Sequence, residues 1–358
     1  MPSYRSGEVV ALLEARPGLQ RVHVDLGTGP ERAYALTQLT GPVALGDRVV
    51  VNTTAVELGL GTGGWHVVHW NLERDDWSEP GPGHIIKGRY TSIQADVGST
   101  EEHLETLAEI ESIGGMPVVV AALHSQLPAV AAAFKACEPD ARLAYVMTDG
   151  AGLPLALSDL VADVRAAGLV DATVTCGHAF GGDHEAVSIW SALAVARHVA
   201  RADATVVVMG PGIVGTNTRL GFTGMEVGPV LDAAHALQGV AIACLRVSFA
   251  DERDRHRGLS HHTATALRLA ARERALVAVP ALPAAQAARL HTDLRAAGID
   301  RRHELVDVDA PDALALFERH GLRVASMGRP AADDPALFQA AAAAGVLTAQ
   351  HVRGRADG

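Results

Sequence analysis

Aromatic side chains are scarce: they make up 4% of the 358 residues, although 48% of the chain is apolar. A core short of Phe, Tyr and Trp must be filled by Ala, Val and Leu, as in sheets covered on both faces by helices. Cysteine is equally thin, and the three residues Cys137, Cys176 and Cys244 form an odd set without paired spacing. That pattern gives no disulfide framework and leads us to expect a reduced, cytoplasmic compartment. Positive charge is in deficit, with 30 Lys and Arg against 41 Asp and Glu, a net charge of −11. Non-specific nucleic-acid binding depends on cations that neutralise phosphates, so no nucleic-acid partner is expected. No apolar run is long enough to span a bilayer. The opening MPSYRSGEVVALLEARPG also lacks the basic and apolar regions of a secretory signal, so no membrane partner is expected.

The composition is globular, and the length suits two domains. Residues 1–74 read as a small β domain. GEVVALLEA, QRVHVDLG, RAYALTQL, DRVVVNTTA and WHVVHWNL are short β-branched runs separated by Gly, Pro and Asp. Five such strands suggest a barrel, because closure removes exposed edges. The glycine-rich stretch Gly59–Gly64 has the look of a phosphate loop. No helix pattern follows to supply a dipole and free N–H groups, so a bend between strands is the better reading. Residues 75–95 read as a linker and inter-domain loop: DDWSEPGPG is turn chemistry, and His84, Lys87, Arg89 and Tyr90 are expected at the joint.

Residues 96–358 alternate strand and helix patterns. Candidate strands are 116–123, 142–147, 172–176, 204–209, 240–247, 275–280 and 303–308, with helical segments such as 184–200 between them. Alternation with continuously apolar strands predicts right-handed βαβ units and a doubly wound, mostly parallel sheet. A TIM-like barrel is the alternative, with LRVAS (322–326) as its eighth strand.

In parallel α/β folds ligands sit at the carboxyl ends of the strands. The segments that precede strands are plain: CEPDAR, AAGLVD, ARAD, LQG. Those that follow are not: LHSQLP, TDGAGLP, CGHAFGGDHE, GPGIVGTNTRLGFTG and SFADERDRHRGLSHHT. Six of the 17 histidines lie in these loops: His124, His178, His184, His256, His261 and His262. Long glycine-rich loops cost stability and usually persist because they bind something.

Four chemistries suit these loops. Imidazole and carboxylate ligands could hold a divalent zinc, manganese or iron ion, with His178, Asp183, His184, His256, His261 and His262 as candidates. The spacing is not HExxH, and the bland alternative is that these residues cap helices or donate hydrogen bonds. Gly210, Gly212 and Gly215 satisfy GxGxxG, but Gly221 and Gly224 break any early helix and no acidic residue follows at the dinucleotide spacing, so NAD is not expected. A nest with Thr216, Thr218 and Arg219 could instead bind a small anion, against the plain reading of a long ordered turn. Asp149 and Glu226 are candidate acid–base groups. Cys176, two residues before His178, is a candidate nucleophile, with a buried strand-end residue as the simpler reading. Ser125 is a weaker nucleophile still. The basic cluster Arg253, Arg255 and Arg257, like Arg301 and Arg302, fits either solvated charge or anion binding.

Several stretches together resemble a bacterial family catalogued as a domain of unknown function, number 3866. They are NTTAVELGLGTGGWHVV, GHIIKGRYTSIQ, TDGAGLPLALSDLV, TCGHAFGGDHEAV, GPGIVGTNTRLGFTGMEVG and RVSFADERDRHRGLSHHT. The resemblance runs from Asn52 to Thr263 and implies no reaction, cofactor or partner. The residues themselves lead us to expect a metal-assisted hydrolase or transferase acting on a small anionic or phosphorylated substrate. The alternative is a non-catalytic metabolite sensor that acts through the β domain. A homo-oligomer is left open.

Overall fold

The computed structural model describes residues 1–60 and 63–356. The chain separates into two compact units, Met1–Gly98 and Ser99–Gly358.

The first unit is a closed barrel of β1 (Tyr4–Arg16), β2 (Leu19–Asp25), β3 (Pro30–Ala35), β4 (Arg48–Asn52) and β5 (His66–Asn71), in the order β1-β2-β3-β5-β4. Closure depends on β1, which pairs with β2 along one length and with β4 along another. Two register shifts, between Val9 and Ala11 and between Leu12 and Glu14, bend it for that purpose. The interior is small and β-branched (Val9, Val22, Val24, Ala33, Val49, Val51 and Val68), as the shortage of aromatics requires. Of the stretch Gly59–Gly64, Gly61 and Thr62 lie outside the described residues, and the chain enters β5 directly afterwards. Residues 75–98 belong to this unit, where Ile86–Lys87 pairs antiparallel with Ala95–Asp96.

Among the described residues the main sheet of the second unit has eight strands. They are β6 (Pro117–Val120), β7 (Leu143–Thr148), β8 (Ala172–Thr175), β9 (His184–Glu185), β10 (Ala204–Met209), β11 (Val240–Cys244), β12 (Leu276–Pro280) and β13 (Glu304–Val308). Every pairing is parallel, in the order β9-β8-β7-β10-β6-β11-β12-β13. Successive side chains point to opposite faces. Leu143, Tyr145 and Met147 therefore join the core on one side, with the helices Leu127–Cys137 and Pro335–Ala356, while Ala144 and Val146 join the other. That second core contains Ile189–His198 and Val227–Ala236.

The sheet is open and doubly wound, which removes the TIM-like alternative. The segment 322–326 supplies no strand to it. Ala325–Ser326 pairs instead with Arg329–Pro330 in a separate short hairpin, and the eighth strand is His184–Glu185, inside the stretch expected to be helical. Strands β6 and β10 are neighbours, yet the chain leaves β6 toward β7 on one side and leaves β10 toward β11 on the other. The helices it takes lie on opposite faces, so the strand order reverses between these two strands, the place where open α/β sheets commonly bind ligands.

Candidate functional site

The loop after β6 is held by its own polar groups. His124 Nδ1 lies 3.1 Å from the Met209 carbonyl, which only accepts, so Nδ1 carries the proton. Its Nε2 then accepts from the Ser158 hydroxyl at 2.7 Å. Burial pushes this imidazole down to about 4, so it is neutral near pH 7. Ser125 Oγ donates to Ser326 Oγ at 2.9 Å, and the Gln126 amide donates to the Leu245 carbonyl at 2.9 Å, tying this loop to the one after β11.

Two carboxylates stand at the end of β7. Thr148 Oγ1 donates to Glu226 Oε1 at 2.6 Å, and the His178 backbone N–H donates to Asp149 Oδ2 at 2.9 Å. Glu226 ends a 3-10 turn, Thr223–Glu226, that feeds the helix Val227–Ala236. Burial raises its carboxyl to about 7; the Thr148 hydrogen bond opposes that rise, and Asp149 adds to it. A Cβ on Gly150 would stand 2.5 Å from Glu226 Oε2, and one on Gly177 would overlap the Asp149 carboxylate. Both positions therefore require glycine for the carboxylates to sit against backbone.

The loop after β11 carries the densest cluster. Its backbone turns through a two-residue ladder, Val247–Ser248 with Gly258–Leu259, which brings residue 256 back beside 260–262. Ser260 caps the short helix His261–Thr265, accepting from the His262 N–H, and its hydroxyl also lies 2.7 Å from His256 Nδ1. One ring nitrogen from each of His256, His261 and His262 falls within 4.8 Å of the others. His256 and His262 are buried, and His261 Nε2 is buried with no hydrogen-bond partner. Phe222 stacks on His262, with ring centroids 3.9 Å apart and 4° between the planes.

Burial, followed by the nearby guanidiniums, pushes His256 to about 3 and His262 to about 3, and lowers His261 in the same way. All three rings are neutral at pH 7 and keep lone pairs. Behind them Arg246, only 3% exposed, donates to His262 Nδ1 at 3.2 Å and lies 3.7 Å from Asp251. Asp251 is gripped by Arg253 through Oδ1 and Oδ2 at 2.9 Å each, which holds its carboxyl well below the usual range.

In front of the cluster, His261 lines a pocket of about 380 Å³ with Asn217, Thr218, Arg219, Arg255, Thr265 and Arg268. The helix loosens into a π-helical turn over Ala266–Ala270, the kind of insertion that re-aims side chains at functional sites.

His178, Asp183 and His184 are not in the histidine cluster, the group of that kind found among the described residues. Asp183 accepts from the Thr173 N–H and hydroxyl and pairs with Arg165 at 3.0 Å. His184 lies in the edge strand β9. Cys176 is buried, its sulfur 3.7 Å from the Met147 carbonyl. Each glycine of the GxGxxG match has a local reason. Gly210 lets the Gly152 carbonyl approach, Gly212 has φ +95°, and Gly215 lies against Phe222 and the His262 ring. Thr216 and Thr218 bond to each other and to Gly221 in a hairpin arm. Of the expected anion-binding set, Thr218 and Arg219 line the pocket.

Arg246, Thr265 and Arg268 do not emerge from motif reading, whereas Ser260 reads from sequence as a cap for the helix near His262 and is one. Of the three, Thr265 and Arg268 are the ones that sequence could have offered, because positions 261, 265 and 268 follow the i, i+4, i+7 spacing of one helix face. Arg246 gives none, since only the fold buries it beside His262.

Fold and site define a class: a small barrel joined to an open, parallel α/β unit with a neutral histidine cluster beside an arginine pocket. The chain belongs to the family described as a protein of unknown function (DUF3866), whose model matches residues 32–345. No curated protein matches the chain. No helix among the described residues is long and apolar enough to cross a membrane.

Proposed function

We propose that this protein is a metal-dependent hydrolase or transferase acting on a small anionic substrate. The observation that carries this reading is the group His256, His261 and His262, with one ring nitrogen each inside 4.8 Å. Neutral imidazoles are ligands for zinc, manganese or iron. His256 is steadied from its Nδ1 side by Ser260, as metal-bound histidines are steadied by a second hydrogen bond. His261 offers an unclaimed Nε2. His262 joins by exchanging its Arg246 contact for the ion.

A bound divalent ion would polarise a carbonyl or phosphoryl oxygen, or supply hydroxide near neutral pH. The arginines in front of His261 favour an anionic substrate. Asp149 and Glu226, on the same carboxyl edge of the sheet, are the acid–base groups of this reading. Glu226 suits proton transfer because its carboxyl is raised to about 7.

The test is elemental analysis of protein purified without chelator or affinity-tag nickel. The expected result is near-stoichiometric zinc, manganese or iron, with more than about nine-tenths of it lost in a His256→Asn/His261→Asn double variant that still folds. A protein that takes up none of these ions when each is added back would overturn the reading. A metabolite that stabilises the protein but is recovered unchanged would favour a sensor over an enzyme.

A further inference from the structure

We infer that the pocket beside His261 binds the phosphoryl group of a small organic phosphate or diphosphate, held by Arg219, Arg255 and Arg268. This deepens the proposed function by naming the substrate class, although the binding itself requires no metal.

The pocket is lined by three arginines and by no acidic residue, in a chain whose net charge is −11. These arginines come from three segments: the hairpin arm after β10, the loop after β11 and the π-helical turn. Among the described residues neither Arg219 nor Arg268 has an ion pair or side-chain hydrogen bond. Arg255 donates to Asn217 Oδ1 at 2.5 Å and weakly to His256 Nε2 at 3.4 Å, and the rest of its fork is free. Most other arginines around the same loop are neutralised: Arg253 by Asp251, Arg329 by Asp251 and Asp334, and Arg289 by Asp293.

Charge balance and oxygen geometry select the ligand. One carboxylate carries a single charge and two oxygens, which a single arginine fork satisfies. Three arginines lining one pocket are matched by a phosphomonoester dianion or a diphosphate, whose oxygens point in several directions. Neutral donors at the wall, the Thr265 hydroxyl and the Asn217 amide, suit the same oxygens. At about 380 Å³ the pocket holds roughly a dozen water volumes, more than a lone phosphate fills, so an attached organic group has room. His261 in the wall places that ligand against the histidine cluster.

The test is isothermal titration of the full chain, stripped of metal with chelator, using inorganic pyrophosphate, inorganic phosphate and acetate at matched ionic strength. Saturable binding of pyrophosphate or phosphate is expected, with acetate at least about tenfold weaker. Arg219→Ala/Arg268→Ala should weaken it by about tenfold or more, while Arg274→Ala, a surface control paired with Glu304, leaves it unchanged. Thermal melts of the variants guard against misfolding. Undiminished pyrophosphate binding in the double variant, equal binding of acetate, or no saturable binding to the folded parent would each overturn the inference. Because the titration is done without metal, it can fail while the histidine cluster still takes up an ion, and the reverse.

Discussion

Glu226 is a carboxyl group that the fold prefers to keep protonated. Burial raises it from 4.5 to about 7. For an acid raised in this way the effect on stability is a penalty. Below pH 4.5 both folded and unfolded chains hold the proton, and the group is neutral in its effect. Between pH 4.5 and 7 the unfolded chain ionises first and the native state loses stability; above 7 the loss is complete. Glu226→Gln keeps an acceptor for Thr148 and removes the penalty. It should stabilise the protein by about 1–2 kcal/mol at pH 8 and by almost nothing at pH 4, since each tenfold change in proton affinity is worth about 1.4 kcal/mol and the side chain is not fully buried. Urea midpoints at the two pH values decide this, and an equal change at both would show that the carboxyl titrates normally. Arg246 is the converse case, a buried cation with partners. Arg246→Met leaves His262 Nδ1 without its donor, but Asp251 keeps Arg253 and Arg329. A loss of about 2–3 kcal/mol is expected, less than for a charge left wholly unpaired. A change under about 0.5 kcal/mol in chemical denaturation would mean that the contact contributes nothing to the fold.

At the level of elements, the helix Val227–Ala236 and the π-helical turn Ala266–Ala270 approach closely because position 228 is glycine. A Cβ there would overlap the Ala270–Ala271 peptide. Gly228→Ala should cost about 1–3 kcal/mol by overpacking and shift the turn that presents Arg268. Weakened pyrophosphate binding together with a lower melting temperature is the expected pair of results; a variant as stable as the parent would show that the two elements part without strain. Legibility follows the same line between local and non-local. The strands from 117 to 120, 143 to 148 and 204 to 209 announce themselves because short, almost wholly apolar runs need no partner to be recognised. His184–Glu185 does not, since a two-residue edge strand is created by its neighbour β8. His261 and His262 stand out as a pair in the sequence, but their convergence with His256 depends on the ladder between 247–248 and 258–259, which no periodicity reveals. Asp183 is indistinguishable in sequence from a ligand, and only the Thr173 and Arg165 contacts show how it is used.

Across the whole molecule, every group discussed as chemistry comes from the second unit, between His124 and Arg268. The family match nevertheless begins inside the barrel, at residue 32, so barrel and sheet are parts of one family unit. The asymmetry between plain and elaborate loops is visible in the sequence because all the strands of the sheet run the same way and all their carboxyl ends share one edge. What stays hidden is which loops meet there, for that is set by strand order. The order has a consequence in time. β6, the first strand of the sheet to leave the ribosome, lies between β10 and β11, which begin at Ala204 and Val240. During synthesis β6 waits, with Val118, Val119 and Val120 unpaired, while three strands, β7, β8 and β9, are made before its first neighbour β10. Non-local parallel pairing of this kind is slow and open to aggregation. The nascent chain thus passes through a long interval in which a wholly apolar strand has no neighbour, a period when a chaperone would find its purchase.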